Sequence, residues 1–170
     1  GLEANKNYDQ DFAVWPLRYG RIMVLTDQDV DGSHIKGLIL GWVHTLHPGL
    51  IENGFVCTMI TPIVRVSKGK QDKCFYTEND YKIWKENTKN SSSWKTKYYK
   101  GLGTSGAKEA KEYFRDPKIQ QFTWTKEKSA ESIDLALNRN RADNRKSWIR
   151  GFDPDDTLNP LDMEVSIEDF

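Results

Sequence analysis

A continuous apolar run, Ile22-Met23-Val24-Leu25, breaks off into Thr26-Asp27-Gln28-Asp29-Val30-Asp31-Gly32, and no other stretch constrains the fold as tightly. Four consecutive apolar residues read as a strand buried on both faces, the habit of a parallel strand covered by helices. Beyond the turn, Ile35, Leu38, Ile39, Trp42, Val43 and Leu46 recur at helical spacing. That predicts a helix with those residues as its buried face, stopped by Pro48-Gly49. In open α/β sheets, ligands bind just past the carboxyl ends of the strands. Three carboxylates at alternate positions repel one another unless a cation compensates, and hard oxygen donors favour magnesium or calcium. The same residues admit a plainer reading, in which Asp31 or Ser33 caps the helix and the other carboxylates are solvated.

One calcium motif is excluded. Asp27 to Gly32 matches the opening of an EF-hand loop, but the twelfth position, which must supply a bidentate Glu, is Leu38, and a strand precedes the loop where a helix is required.

Further along, β-type residues run from Phe55 to Val66, with Ser67-Lys68-Gly69-Lys70 as a turn and Lys73–Thr77 as a return strand. Glu78–Glu86 reads as a helix, Asn87–Trp94 as a polar loop and Thr96–Tyr99 as a strand. A helix over about 107–114 ends before Pro117, a strand follows at 119–124, and 129–150 holds two polar, Arg-rich helices. Strands alternating with helices predict an α/β domain with a largely parallel sheet.

Gly101-Leu102-Gly103-Thr104-Ser105-Gly106 sits between a strand and a helix and formally fits a dinucleotide fingerprint. The acidic ribose ligand expected on a following strand is missing, and Ala107 stands where a Walker A motif needs Lys. A purely structural turn is one reading of this loop.

Lys+Arg and Asp+Glu balance at 25 each, so only a local basic surface, not the average, could attract nucleic acid. Cys57 and Cys74 form no C-x-x-C pair, which excludes a standard zinc site and suits a reducing, intracellular compartment. No apolar run approaches the roughly 18–20 residues of a membrane span. His34, His44 and His47 lack metal-ligand spacing; His34, beside the acidic turn, could orient a phosphate or a water, while Trp42 and Trp148 read as core. Arg139, Arg141, Arg145 and Arg150 suit either a DNA backbone or a solvated helix face.

The segment from Tyr19 to Gly37, with Asp27-Gln28-Asp29-Val30-Asp31-Gly32-Ser33-His34-Ile35-Lys36 at its centre, resembles the acidic motif of eukaryotic and large-virus type IIA DNA topoisomerases. The resemblance continues through Ile60–Val66, Lys97-Tyr98-Tyr99-Lys100-Gly101-Leu102-Gly103-Thr104-Ser105 and Asn144-Arg145-Lys146-Ser147-Trp148, in unbroken order over residues 1 to about 150. Gly106 departs from the family pattern. The resemblance implies a Toprim-type, Rossmann-like fold with a C-terminal helical extension. It implies Mg2+ held by Asp27 and Asp29, which are then also the catalytic residues, with Asp31 in support, and double-stranded DNA as the partner. It also implies that a phosphate of that DNA meets Lys100, Gly101 and Gly103 with the helix-start N–H groups, the glycines allowing close backbone approach.

The family's remaining machinery is not in this sequence. An E-G-D-S-type motif with a third acidic ligand belongs upstream, and the nucleophilic tyrosine belongs to a downstream winged-helix domain. Arg18-Tyr19 imitates the nucleophile's setting but stands at the entrance of the first strand. ATP is used by another domain. The start without Met reads as the edge of a fragment, which by itself is expected to be inactive. The expected organisation is an N-terminal edge at 1–18, a Toprim domain at 19–128, a helical extension at 129–151 and an acidic linker at 152–170. The parent is expected to be a homodimer, nuclear in a cellular eukaryote, or in host cytoplasm or nucleus if viral. Rival readings are a primase- or nuclease-type Toprim protein, and a metal-dependent DNA-binding module without cleavage.

Overall fold

The computed structural model describes residues 2–3, 6, 8, 17–99, 102–153 and 158–170. Strand β1 (Ile22–Val24) pairs in parallel with β2 (Val56–Ile60), setting Val24 beside Thr58. Every residue of β2 is buried, as a central strand with both faces covered must be. The other edge of β2 takes β6 (Lys118–Thr123) in antiparallel pairing, and β6 takes β7 (Glu164–Ser166) in parallel. The sheet order is therefore β1-β2-β6-β7 and the sheet is mixed.

A second sheet sets β3 (Val64–Lys68) between β4 (Gln71–Phe75) and β5 (Lys95–Tyr98), antiparallel throughout. The α/β class is as expected, but among the described residues parallel pairing is confined to β1–β2 and β6–β7. A short connection accounts for one of the antiparallel pairs. Strands β3 and β4 are joined by a tight turn with Gly69 at φ +62°, and only antiparallel neighbours can be joined that briefly.

Helices cover these sheets: α1 (Val30–Leu46), α2 (Pro48–Glu52), α3 (Glu78–Asn87), α4 (Ala107–Arg115), α5 (Lys126–Leu137) and α6 (Ala142–Arg150). Pro48-Gly49 ends α1 but also opens α2, where a proline at the first position loses no intrahelical bond.

The spacing locates α1 correctly and its buried face wrongly. Gly32, Lys36, Leu40, Gly41 and Val43 face inward, whereas Ile35 (47%), Leu38 (47%), Trp42 (55%) and Leu46 (49%) are about half exposed. Helix α1 is apolar on two sides, and the side with small residues packs. A Cβ at Gly41 would overlap the side chain of Leu137 on α5, so the glycine lets the two helices close up. Trp148, also expected in the core, is 55% exposed on α6.

Two apolar cores result. The larger gathers Val24, Leu40, Val43, Leu50, Val56, Phe122, Val165 and Ile167 around the mixed sheet. The smaller packs Val64, Val66, Phe75 and Tyr81 with Trp84 and Trp94 between the antiparallel sheet and α3. Each fully buried large side chain contributes roughly 1.5–3 kcal/mol.

The acidic tail is not all linker. Val165 on β7 and Ile167 just past it pack into the larger core, Glu164 and Asp169 are exposed, and Ser129 Oγ on α5 donates to Glu168 Oε2 at 2.8 Å. Among the described residues no helix is long and apolar enough to cross a membrane.

Candidate functional site

At the end of β1 the chain turns sharply into α1, and Gln28, Asp29, Gly32 and Ser33 are held by hydrogen bonds. Asp29 is the helix N-cap: its Oδ1 accepts from the Gly32 amide at 2.8 Å and its carbonyl from the Ser33 amide at 3.0 Å. The cap is therefore Asp29, not Asp31 or Ser33. Asp31 sits in the first helical turn, where a negative charge meets the positive end of the helix dipole. Gln28 Nε2 donates to the Met59 carbonyl at 3.2 Å, and Thr58 Oγ1 donates to the Val24 carbonyl at 3.0 Å, so the turn is tied to β2. Gly32 is demanded by space: a Cβ there would overlap the Asp27 carbonyl oxygen.

A cleft of about 750 Å³ opens over this turn. Asp27, Gln28, Asp29 and Ser33 form one wall; Tyr76, Glu78, Tyr98 and Tyr99, from the antiparallel sheet and the start of α3, form the other. Asp27 and Asp29 are thus brought together, and Asp31 does not line the cleft. Among the described residues no three His, Cys, Asp or Glu side chains are placed to hold a metal ion together. His34 lies on another side of α1, in a second cleft with Arg145 and Trp148. Arg145 spends its guanidinium on the carbonyls of Leu135 and Asn138, and Arg141 on Glu131 and Asp134, so both brace α5 and α6.

Tyr99 directly follows β5, the strand that leads into the glycine loop. Lys100 and Gly101 lie outside the described residues. Gly103 is exposed in a short 3-10 turn at Leu102–Thr104, and a Cβ there would meet nothing within 4 Å. Its glycine therefore answers to no internal crowding.

The start of α4 holds a contact that the glycine pattern does not reveal. Glu109 Oε2 accepts from Lys97 Nζ at 2.6 Å and from the Gly106 amide at 2.7 Å, and Oε1 accepts from Tyr99 Oη at 2.6 Å. Burial raises the Glu109 pKa, but the bonds from Lys97, Tyr99 and the Gly106 amide outweigh it and bring it down to about 2. Burial, then the bond to Glu109, pushes the Tyr99 hydroxyl well above its usual range. The Gly106 N–H, one of the helix-start donors expected to meet a phosphate, is already given to Glu109. The available signal was a Glu three residues past a helix cap. Glu78 and the tyrosines of the cleft were also missed, because only the tertiary fold sets them opposite Asp27.

A family model described as the C-terminal associated domain of TOPRIM matches residues 59–170. Human DNA topoisomerase 2-alpha is 47% identical over 154 residues, 89% of this chain and 10% of that protein. Mouse DNA topoisomerase 2-beta is 46% identical over the same shares. The chain spans about a tenth of the length of these curated relatives. Among solved structures, the DNA-binding, cleavage and re-ligation domain of Plasmodium falciparum topoisomerase II superposes with a TM-score of 0.89 at 42% identity, covering 99% of this chain and 23% of that one.

Proposed function

From the premise that the chain belongs to the family of C-terminal associated domains of TOPRIM, we propose that it is part of the DNA cleavage and religation core of an ATP-dependent type II DNA topoisomerase. The observation that carries this reading is the cleft. Its one wall is the Asp27–Asp29 turn, and its other ends in Tyr98 and Tyr99, the residues that lead directly into the glycine loop. Two segments far apart in the chain thereby face one space.

The donor set fits magnesium. Mg2+ is commonly bound through one or two carboxylates while keeping several waters, so an open pair of hard oxygen donors suits it better than a closed cage. Asp27 and Asp29 would hold it, with Asp31 in support through its charge, and the upstream glutamate of the parent as a further ligand. When bound, Mg2+ supplies positive charge beside the phosphate oxygens that gain negative charge during strand cleavage. Asp29 does two jobs: one oxygen caps α1 and thereby fixes the direction of the carboxylate. Gly32 lets the turn close so that Asp27 sits beside it.

The glycine loop, with Lys100, Gly101 and Gly103, holds the DNA backbone, and His34 approaches it from the neighbouring face of α1. Exposed Gly103, with open space on its Cα, leaves room for a phosphate to approach the backbone. The substrate is double-stranded DNA and the parent acts as a homodimer, nuclear in a cellular eukaryote. The isolated 170 residues lack the nucleophilic tyrosine and do not cleave.

The test is plasmid relaxation and cleavage by the full-length parent over a magnesium series, with ATP hydrolysis run in parallel. Asp27→Ala and Asp29→Ala should abolish cleavage and relaxation while ATP hydrolysis survives. Undiminished cleavage by Asp27→Ala at limiting magnesium would refute the metal assignment.

A further inference from the structure

Glu109 binds both ends of the glycine loop at once. Lys97 and Tyr99 precede the loop Lys100–Ser105 and Gly106 follows it, and one carboxylate accepts from all three. Each end has its own anchor as well. The Tyr99 amide donates to the Ile63 carbonyl at 2.9 Å, and Lys97 Nζ lies 4.9 Å from the centre of the Tyr99 ring. On α4, Glu112 Oε2 accepts from Arg65 Nη1 at 2.9 Å, so β3 grips the helix one turn further on. The Glu109 side chain is only 15% exposed.

We infer that Glu109 is a positioning residue: it clasps the two ends of the Lys100–Ser105 loop and so presets that loop for the DNA backbone. The inference rests on the reading of the loop as a DNA contact. A loop rich in glycine has many conformations to lose, and ordering it on binding weakens the complex by that lost entropy. A clasp at its ends removes much of this cost beforehand. The clasp also explains why a carboxylate stands at a helix start next to a DNA site, where its charge opposes a phosphate: Lys97 and the Gly106 amide offset that charge, and the loop gains a fixed span.

The experiment uses the full-length parent and four proteins: wild type, Glu109→Gln, Lys100→Ala and the double variant. Duplex-DNA affinity is measured over a salt series, and amide hydrogen exchange over peptides spanning 100–106. Glu109→Gln should weaken binding about tenfold, the size expected when a charge-assisted bond holding a binding loop is lost. Its loop amides should exchange faster. On the Lys100→Ala background the same change should cost little further, because a residue acting through the loop is coupled to it. An equal penalty on both backgrounds, or unchanged loop exchange in Glu109→Gln, overturns the inference and leaves Glu109 a structural residue. If Lys100→Ala alone keeps wild-type affinity and salt dependence, the DNA reading of the loop is what fails. Faster loop exchange in Glu109→Gln then still supports the clasp, and unchanged exchange overturns it.

Discussion

Replacing Gly32 by Ala adds a single methyl group at the most crowded point of the acidic turn. Besides overlapping the Asp27 carbonyl oxygen, the new Cβ would stand 2.8 Å from the Asp27 carbonyl carbon and 3.2 Å from its amide nitrogen. Overpacking costs about 1–3 kcal/mol. A clash with backbone belongs at the top of that span, because no side-chain rotation relieves it. Alanine returns about 1 kcal/mol through its higher helix propensity. The net loss is about 2 kcal/mol, which for a chain of this size lowers Tm by about 4–8 °C. The functional effect should be larger if Asp27 holds the metal as proposed, since relief moves Asp27 and the start of α1 apart and a displacement of about 1 Å at a reacting centre costs on the order of a hundredfold. Thermal denaturation of the chain and magnesium-dependent cleavage by the parent measure the two effects. Gly37→Ala is the control: on the same helix, its Cβ meets nothing within 4 Å, so it should stabilise by about 1 kcal/mol. Should Gly32→Ala match Gly37→Ala in Tm and leave cleavage intact, the tight turn does not place Asp27.

Asp29→Ala should cost about 1 kcal/mol of stability through the lost cap, whereas Asp29→Asn should keep the cap and lose only the proposed metal role; urea denaturation and cleavage assays separate them. In Glu109→Gln the stability deficit should be full above about pH 5 and vanish as pH falls towards 2, because the depressed pKa of Glu109 contributes stability that is lost on protonation; urea midpoints against pH read it. Lys36 is buried on α1 and burial lowers its pKa, so wild-type stability should rise as pH climbs towards its ordinary value of 10.5. Lys36→Met should therefore stabilise the chain at neutral pH by on the order of 1 kcal/mol, the gain shrinking in alkali. Lys100→Ala in the parent should lower the slope of log affinity against log salt by about one unit, measured on unrelated duplexes to show that the loss is independent of sequence.

Local patterns carried the elements well. The apolar run ending at Leu25, the spacing after Val30 and the turn at Gly69 each report a short-range preference, and β1, α1 and the β3–β4 pair stand where those signals put them. What short-range pattern could not carry was choice among partners. On α1 both the Ile35–Trp42 side and the Leu40–Val43 side are apolar, and the close approach of Leu137 at Gly41 selects the second. The tail misled for a related reason: its carboxylates dominate a charge count, while Val165 and Ile167 do the packing. At the site, Asp27 and Asp29 were legible because carboxylates at a strand end repel one another, a local fact. Glu78, Tyr98 and Tyr99 were not, since the cleft exists only when the second sheet folds across the first. Glu109 falls between these cases, marked by its place three residues after Gly106 but given meaning by Lys97 and Tyr99.

The late arrival of β7 sets a timetable for synthesis. Its register places Val165 against Phe122, and α5 and α6 must emerge between the two. At about 5–20 residues per second the ribosome leaves β6 with a bare edge for roughly 2–8 s after Thr123 appears. During that interval Phe122 also lacks Val165 and Ile167 as packing partners. An open strand edge beside exposed apolar surface invites pairing with another chain. A nascent chain paused before residue 164 should accordingly self-associate more readily than one carried past Ile167.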